Sequence, residues 1–310
     1  MKYLCNICPR KCNIERGSSF TEFHRLPGVC HSPLQPMVAR AGLHFWEEPV
    51  ISGERGSGTI FFSGCNLQCV YCQNFNISSE SAGSVISVER LKAIYQELAT
   101  QGAHNINLVT PTHYSEAILE SLAEKPPLPV VYNTNSYDSV NTLKRFAGKI
   151  DIYLADYKYS SNDLAMRYSK VKDYAETAWA AIQEMYRQTG PYQIDEHGIM
   201  QKGVIIRHLI LPNAVENTLK TIELVAKNFA PGEVLFSLMR QYLPCGMVSE
   251  DQYPELNRRV SDEEYAIIED ALFASGIEDG FVQDESSATT DFIPCFDGSG
   301  VEAQEPNCMR

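Results

Sequence analysis

The chain has 310 residues, enough for one large α/β domain or two ordinary domains, and 44% of them are hydrophobic, as expected for a protein with a substantial core. The 39 acidic residues outnumber the 26 basic ones, and the formal net charge of -13 argues against nucleic acid as a partner because it repels phosphate backbones. The N-terminus lacks the apolar stretch of a secretory signal, and no apolar run approaches the roughly 20 residues of a membrane helix. The sequence therefore predicts a cytoplasmic protein that does not associate with membranes.

The ten cysteines fall into three groups. A reducing cytoplasm keeps thiols reduced, so clustered cysteines are predicted to be metal ligands rather than disulfide partners. The last three are scattered singly and are interpreted as small buried hydrophobic residues or loop thiols. In chain order the groups are Cys5, Cys8, Cys12 and Cys30; Cys65, Cys69 and Cys72; and Cys245, Cys295 and Cys308.

Strand and helix patterns alternate between residues 59 and 239. Strands separated by helices of this length need crossover connections, which build a parallel sheet. Six such units predict an α/β fold, an incomplete (β/α)6 barrel whose chemistry collects at the C-terminal strand ends. The predicted strands are 59–62, 105–110, 128–135, 150–158, 203–212 and 232–239. The predicted helices run from a Ser87 cap to Gly102 and over 116–125, 140–148, about 162–188 and about 215–229.

Three segments lie outside this alternation. Residues 1–45 lack the barrel periodicity and are predicted to form a small, cysteine-rich, metal-binding appendage, which leaves 46–310 for the partial barrel. A loop or hairpin is predicted at 191–203. The polar segment VQDESSATTDFIPCFDG near the C-terminus is either a flap over the open barrel or a surface loop, and its composition favours neither.

The motif Cys65-x3-Cys69-x2-Cys72 directly follows the first predicted strand. Thiolates are soft ligands that suit zinc and iron–sulfur centres, and a [4Fe-4S] cluster ordinarily takes four of them. Three close cysteines would hold three corners of such a cluster and leave one iron open to a substrate or cofactor. The alternatives are a zinc knuckle and a chance cluster of thiols.

This spacing, with an aromatic residue before the last cysteine, here Tyr71, resembles the signature of the radical S-adenosylmethionine (radical SAM) superfamily. The flank SGCNLQCVYCQN is similar to that of the pyruvate formate-lyase activating enzyme. Within that group, CNICPRKC and NINLVTPTHY resemble homologues that carry an N-terminal four-cysteine segment. The resemblance covers nearly the whole chain, and the fold it implies is a radical-SAM-type partial barrel.

The resemblance implies an oxidoreductase with a [4Fe-4S] cluster and S-adenosyl-L-methionine as cofactors. Reductive cleavage of the latter would give a 5′-deoxyadenosyl radical that abstracts hydrogen from a substrate, with the electron coming from an external flavodoxin- or ferredoxin-like donor. The leading interpretation is an enzyme that activates a glycyl-radical-type partner protein, because an incomplete barrel opens sideways to a protein loop. The alternatives are a radical SAM enzyme that modifies a peptide or small molecule, and a non-catalytic iron–sulfur or zinc protein.

Residues at two predicted strand ends match positions that bind cofactor or substrate in the activating enzymes. Asp156 and Lys158 in LADYK are similar to an Asp-x-Lys motif that would contact the ribose or carboxylate of the cofactor, or the substrate backbone; the alternative is a buried ion pair. Arg207 and His208 face opposite sides of their strand, so one of them points into the barrel. Arg207 matches an arginine of the activating enzymes, with a core salt bridge as its alternative.

Two further strand ends carry weaker signals. Asn133, Thr134 and Asn135 end the third predicted strand, where they either hydrogen-bond the cofactor or form an Asx-rich turn. After the sixth predicted strand the activating enzymes often have a histidine, whereas this chain offers Gln241 or Tyr242. Neither is expected to be catalytic, and no other side chain is identified as a catalytic residue.

The chain departs from the activating enzymes after its second predicted strand. There those enzymes carry a Gly-Gly-Glu-type motif that receives the amino group of S-adenosyl-L-methionine, and this chain has LVTPTHY. A buried ammonium without partners costs several kcal/mol, so other acceptors are needed. Oxygen atoms of Thr110 and Thr112, and a neutral His113, are the predicted acceptors; for His113 the alternative is capping of the next helix.

The N-terminal spacing Cys5-x2-Cys8-x3-Cys12, together with Cys30, supplies a closed set of four thiolates. Such a set suits a structural site or an electron relay. Zinc and a second [4Fe-4S] cluster fit it equally well, and unmetallated thiols are the remaining alternative.

Overall fold

The computed structural model describes residues 4–17 and 28–303, and an open sheet forms the centre of this part of the chain. Within these ranges the strands are β1 (Met37–His44), β2 (Ser57–Phe62), β3 (Ser84–Val85), β4 (Ile106–Val109), β5 (Val130–Thr134), β6 (Ile152–Asp156), β7 (Gln193–Ile194), β8 (Met200–Leu209), β9 (Leu235–Met239) and β10 (Gly280–Val282). Their order is β10-β9-β8-β6-β5-β4-β2-β1-β3, with β7 paired to β8 alone.

Six neighbouring strands, β2, β4, β5, β6, β8 and β9, pair in parallel, and β10 adds a seventh. The six correspond one to one to the strands predicted from the sequence. The sheet does not close on itself, so the prediction of an incomplete α/β barrel is confirmed. The hairpin predicted at 191–203 is also present, since β7 pairs antiparallel with β8.

The helices that connect these strands are mostly those predicted. Within the described ranges they are α1 (Pro49–Ser52), α2 (Phe75–Ser78), α3 (Val88–Thr100), α4 (Ser115–Ser121), α5 (Val140–Lys144), α6 (Asn162–Ser169), α7 (Tyr174–Thr189), α8 (Val215–Asn228) and α9 (Asp262–Ala274). The single helix predicted at about 162–188 is wrong: α6 ends at Lys170, whose φ of +53° is left-handed. None of the described helices is long and apolar enough to cross a membrane.

The predicted boundary between appendage and barrel at residue 45 is also wrong. Strand β1 pairs antiparallel with β2 from Val38 to His44, so residues 37–44 belong to the central sheet. Sequence periodicity did not reveal β1. An antiparallel strand needs no crossover helix, so the alternation of helices and strands that identifies the parallel strands is missing here. The appendage proper therefore ends before Met37.

The two faces of the sheet carry different apolar layers. On β5, Tyr132 belongs to the large outer core beneath the helices, whereas Val131 faces a small inner cluster with Ile152 and Ile205. Ile51 of α1 is fully buried and packs in this inner cluster. The loop that leads into α1 is thereby held inside the partial barrel.

Residues 283–297, which we call the C-terminal strap, cross from one side of the sheet to the other. Gln283 N donates to Leu238 O of β9 (3.1 Å), and just after the strap Gly298 N donates to Ala39 O of β1 (3.0 Å). Phe292 lies against Trp46, with ring centroids 4.7 Å apart. The polar C-terminal segment is therefore a flap over the open side of the sheet, one of the two interpretations its sequence allowed.

Candidate metal centre and cofactor site

A cavity of about 820 Å³ lies at the C-terminal ends of the parallel strands. All three cysteines of the triad, Cys65, Cys69 and Cys72, line it. Most of the predicted cofactor-binding and strand-end residues also line it, together with several residues of the C-terminal strap. They are Tyr71, Thr110, Asn133, Thr134, Asn135, Asp156, Lys158, Arg207, Gln241 and Tyr242.

Each sulfur of the triad accepts a hydrogen bond. Cys65 Sγ accepts from Leu67 N and from Asn135 Nδ2, both at 3.4 Å. The other two sulfurs accept from hydroxyl groups. Ser169 Oγ donates to Cys69 Sγ (3.1 Å), and Ser78 Oγ donates to Cys72 Sγ (3.3 Å). Donors aimed at sulfur stabilise thiolates and tune iron–sulfur centres. The donor set therefore fits three cysteine ligands of a cluster.

Burial makes these thiols hard to ionise unless a metal binds them. It raises the pKa of Cys65 to about 12, with the nearby charge of Cys69 adding to the effect, and it raises the pKa of Cys72 to about 11. Because metal ligation requires thiolates, binding must displace these protons, and the cation must compensate the buried charge. The raised pKa values also mean that the metal-free thiols are poor nucleophiles.

A charged network forms one wall of the cavity around Arg207, which faces the barrel interior. Its guanidinium donates to Asp156 Oδ1 (2.7 Å), Glu47 Oε2 (2.9 Å) and Asn133 Oδ1 (2.7 Å), and Lys158 Nζ donates to Asp156 Oδ2 (2.8 Å). Asp156, Lys158 and Arg207 therefore line the cavity, as predicted, and also form the ion pairs that were the alternative interpretation. Burial raises the pKa of Asp156, but Arg207 and Lys158 outweigh it and hold that pKa below its ordinary value.

The network includes two glutamates that the sequence analysis missed. Glu47 and Glu48 precede α1, and both line the cavity. Burial raises the pKa of Glu48, and Arg207 opposes that shift. Glu48 Oε2 has no hydrogen-bond partner among the described residues, with Arg207 Nη1 at 3.6 Å. No sequence signal identified these residues, because an acidic pair before a proline is typical of any exposed helix start.

Tyr71 sits in an aromatic cluster beneath the triad. Its ring meets those of Tyr159, Tyr168 and Tyr242 edge to face, at centroid distances of 6.0–6.4 Å. Cys245, one of the scattered cysteines, donates from Sγ to Tyr71 O at 3.1 Å. Tyr71 therefore stabilises the cysteine loop by packing as well as lining the cavity. Cys308 lies outside the described residues.

The structure does not bring Thr112 and His113 to the cavity. After Thr110 the chain enters a 3-10 turn, Thr112–Tyr114, whose side chains are buried. Thr112 Oγ1 lies 3.4 Å from Thr134 Oγ1, and His113 Nε2 lies 2.8 Å from Ser63 O. Burial, and then the charge of Arg16, lowers the pKa of His113 to about 3. Of the three predicted ammonium acceptors, the structure places only Thr110 at the cavity.

The four N-terminal cysteines lie close to one another and do not line the cavity. Cys5, Cys8 and Cys30 are buried and Cys12 is half-buried. Burial raises the pKa of Cys8 to about 12, and the charges of Cys30, Cys5 and Cys12 all act on it in the same direction. Across residues 4–17 and 28–303, no three His, Cys, Asp or Glu side chains converge closely enough to hold a single metal ion.

Comparisons with known proteins agree with the metal chemistry of the triad. A family model described as a 4Fe-4S single cluster domain matches residues 51–125, which include all three cysteines. The uncharacterized protein MJ0674 of Methanocaldococcus jannaschii is 32% identical over 278 residues, 86% of this chain and 73% of that protein. The 7-carboxy-7-deazaguanine synthase of Methanothermobacter thermautotrophicus is 30% identical over 103 residues, 33% of this chain and 41% of that enzyme.

Two solved structures align with part of the chain and share little sequence with it. Streptococcus suis SuiB aligns with a TM-score of 0.47 and 13% identity, over 74% of this chain and 48% of SuiB. The methylornithine synthase PylB aligns with the same TM-score and identity, over 70% of this chain and 68% of PylB. The cluster-domain match and the open α/β sheet support the superfamily assignment made from the sequence.

Proposed function

We propose that this chain, which belongs to the same family as the uncharacterized protein MJ0674 of Methanocaldococcus jannaschii, is a radical SAM enzyme that abstracts hydrogen from a partner protein. One observation carries the proposal: three cysteines with hydrogen-bonded sulfurs face a single cavity that also holds fixed carboxylates, amides and cations. Three ligands leave one position of a [4Fe-4S] cluster free, which a structural site would not do.

The triad, Lys158 and the C-terminal strap would each have a separate role in this reaction. Cys65, Cys69 and Cys72 would hold the cluster, and with S-adenosyl-L-methionine bound it supplies the 5′-deoxyadenosyl radical chemistry. Lys158 is buried, but Asp156 more than offsets that burial and raises the pKa of Lys158, so it stays a cation at the cavity wall. A fixed cation suits the carboxylate of the cofactor. Several residues of the C-terminal strap line the cavity, where they would help to exclude water and so protect a reactive radical.

The proposed substrate is a glycine backbone of a glycyl-radical-type partner protein, with an external flavodoxin- or ferredoxin-like protein as electron donor. Trp46 lines the cavity and is 58% exposed, which suits contact with a protein segment at the cavity mouth. A peptide or small molecule is the second candidate substrate, and it is favoured by the strap residues that line the cavity, because they occupy space that a protein segment would need.

Cofactor cleavage tests the proposal directly. Anaerobically reconstituted, dithionite-reduced protein is expected to convert S-adenosyl-L-methionine to 5′-deoxyadenosine, and a variant with Ala at positions 65, 69 and 72 is expected to make none. Cys295→Ala, at an exposed cysteine that does not line the cavity, is the matched control and should retain full cleavage. Cleavage by the triple-alanine variant, or none by the reconstituted wild type, would overturn the assignment.

Deuterium transfer distinguishes the two candidate substrates. Glycine-containing peptides and free amino acids, each deuterated at Cα, are incubated with the reduced enzyme and the cofactor. Deuterium in 5′-deoxyadenosine from the peptides alone supports a protein substrate. Transfer from the free amino acids instead favours the small-molecule alternative.

A further inference from the structure

The four N-terminal cysteines form a second cluster of potential metal ligands that the triad chemistry does not use. Backbone hydrogen bonds shape their loop: Cys5 N donates to Ile14 O (2.8 Å), and Asn13 N donates to Cys5 O (2.9 Å). The segment of Cys30 passes beside Cys12, because Cys12 Sγ lies 3.8 Å from the position of a Cβ on Gly28, two residues before Cys30. Cys5, Cys12 and Cys30 are all near enough to Cys8 to act on its charge, so four buried or half-buried thiols from two segments lie near one another.

A buried cation stands beside these thiols. Arg16 donates from Nη1 to Cys5 Sγ (3.9 Å), and the same guanidinium bonds the carbonyls of His113 (2.7 Å), Ser32 (3.1 Å) and Pro33. Arginine is always charged, so its positive charge is available to balance thiolates on a buried metal centre. Such compensation is what four cysteine ligands on a cluster require.

The cysteine segment is fixed directly against the triad loop. The Arg10 guanidinium, two residues after Cys8, donates to the carbonyls of Asn66 (2.7 Å), Leu67 (3.0 Å), Ser169 (2.8 Å) and Lys170 (2.7 Å). Asn66 and Leu67 immediately follow Cys65. A single arginine therefore joins the two cysteine sets through side-chain contacts.

A glycine makes the second contact between the two sets. Gly64, which precedes Cys65, has a left-handed φ of +81°, and a Cβ there would lie 2.6 Å from Cys30 O. Any other residue would push the backbone of Cys30 away from that of Cys65. The two cysteine sets are therefore neighbours at two places: Arg10 contacts the carbonyls that follow Cys65, and the backbone of Cys30 contacts Gly64.

We propose that Cys5, Cys8, Cys12 and Cys30 hold a second iron–sulfur cluster that relays single electrons to the centre at Cys65, Cys69 and Cys72. Zinc would need all four sulfurs about 2.3 Å from one point, whereas the cysteines of a cluster bind separate irons and stand further apart. The observed thiols are grouped without converging on one point. The proposed electron relay rests on the proposed function, whereas the proposal that these four cysteines bind an iron–sulfur cluster does not.

The electron balance of the relay is simple. An external low-potential protein donor of the flavodoxin or ferredoxin class loses one electron, and the second cluster gains it. The same electron then passes to the triad centre, which restores the second cluster to its oxidised form. No bond forms or breaks, and no proton moves in this step.

Iron analysis of a triad-free protein tests the metal without any activity assay. The full chain with Ala at 65, 69 and 72 is reconstituted anaerobically, and iron and zinc are measured per chain. About four irons are expected, against about eight in the wild type, because a cubane holds four. Iron near zero, or about one zinc in place of iron, would overturn the proposal. Cys295→Ser is the control and should keep the wild-type iron content.

Spectroscopy and electron transfer test the relay. In the fully reduced wild type, magnetic coupling between neighbouring clusters is expected to broaden the paramagnetic signals, and the triad-free protein should give a narrow signal. Arg10→Gln is expected to slow reduction of the triad centre by a reduced flavodoxin more than reduction by dithionite. Equal slowing with both reductants, or no coupling, would overturn the relay. Normal iron content and coupling without cofactor cleavage would instead refute the proposed function alone.

Discussion

Single hydroxyl groups set the electronic environment of the triad sulfurs. Cys69 depends on Ser169, which lies about a hundred residues along the chain and also contacts Tyr159 Oη at 2.8 Å. A hydrogen bond to sulfur favours the more negative, reduced state of a cluster. The reduction potential of the triad centre is therefore expected to depend on a residue that no ligand motif contains.

Ser169→Ala is expected to lower the reduction potential of the cluster by about 20–60 mV, because a neutral hydrogen bond contributes about 0.5–1.5 kcal/mol and 59 mV corresponds to about 1.4 kcal/mol for one electron. Redox titration followed by visible absorption measures the shift. Ser121→Ala is the matched control, since Ser121 Oγ contacts Tyr95 Oη at the same 2.8 Å but has no cysteine partner. A potential that shifts equally in both variants would contradict the role of the sulfur hydrogen bond.

Glu48 gives the molecule a pH dependence of stability that a glutamine would remove. Its pKa is higher in the folded than in the unfolded chain, so its contribution to stability is present below the ordinary glutamate pKa and is lost as the pH rises through the folded pKa. Asp156 adds no slope there, because its pKa is lowered and it stays ionised. Glu48→Gln is therefore expected to remove the loss of unfolding free energy that this carboxyl causes as the pH rises above the ordinary glutamate pKa, a slope of up to about 1.4 kcal/mol per pH unit.

Urea unfolding at several pH values measures the difference between the wild type and Glu48→Gln. Glu223→Gln, at an exposed glutamate on α8, is the control and should follow the wild-type curve. If the curves of Glu48→Gln and the wild type run parallel over this range, the carboxyl of Glu48 does not titrate as the structure requires.

At the residue scale, sequence resemblance identified positions that the structure brings to one cavity. Asp156, Lys158 and Arg207 were singled out because they match motifs of the activating enzymes, and all three line the cavity, while their roles stay predictions. Glu47 and Ser169 were not identifiable, since their position at the site depends on how a loop and a broken helix fold back. A local pattern does not encode those long-range contacts.

At the scale of elements, Arg10 makes the side-chain contacts that join the N-terminal cysteine segment to the triad loop and to α6. Four carbonyls accept from the planar fork of Arg10, two on the triad loop and two at the end of α6. The end of α6, where a longer helix was predicted, provides two of these carbonyls. Because α6 ends at Lys170, the carbonyls of Ser169 and Lys170 are free to accept from Arg10 instead of continuing a helix.

Arg10→Lys is expected to destabilise the protein by about 1–3 kcal/mol, because a lysine keeps the charge but its single nitrogen leaves carbonyls unsatisfied. Urea unfolding gives the energy, and hydrogen exchange should show less protection in 64–72. Arg167→Lys is the control: Arg167 pairs with Glu255 at the surface, where such pairs contribute at most about 1 kcal/mol. Equal losses in the two variants would show that the carbonyl contacts contribute nothing specific.

Elements with strong periodicity were predictable, and edge elements were not. Five of the six parallel strands follow a helix predicted from the sequence, and strands such as β2, β5 and β6 are buried almost throughout, which gives apolar runs with clear boundaries. Strands β1 and β10 lie near the margins of the sheet and depend on pairing with strands already formed. Their sequences, MVARAGLH and GFV, carry little signal of their own.

For the molecule as a whole, the C-terminal strap matters most, because it spans an opening that the sheet leaves. Its two ends are bonded to opposite parts of the sheet, and between them it lines the cavity. Phe296 packs edge to face on Phe61 of β2 with centroids 5.3 Å apart, which fixes the end next to β1. The middle of the strap depends on the contact between Phe292 and Trp46.

Phe292→Ala should therefore loosen the strap without disturbing the sheet. An aromatic pair contributes about 0.5–1.5 kcal/mol beyond burial, so hydrogen exchange across 284–297 is expected to accelerate while exchange in β8 is unchanged. The fluorescence of Trp46 should shift to the red as its ring becomes more exposed to water. Phe273→Ala removes a phenylalanine that is 74% exposed on α9 and should leave both signals unchanged. Unaltered protection of 284–297 in Phe292→Ala would mean that the strap is held by its ends alone, and that the aromatic contact at the cavity mouth does not control access to the cavity.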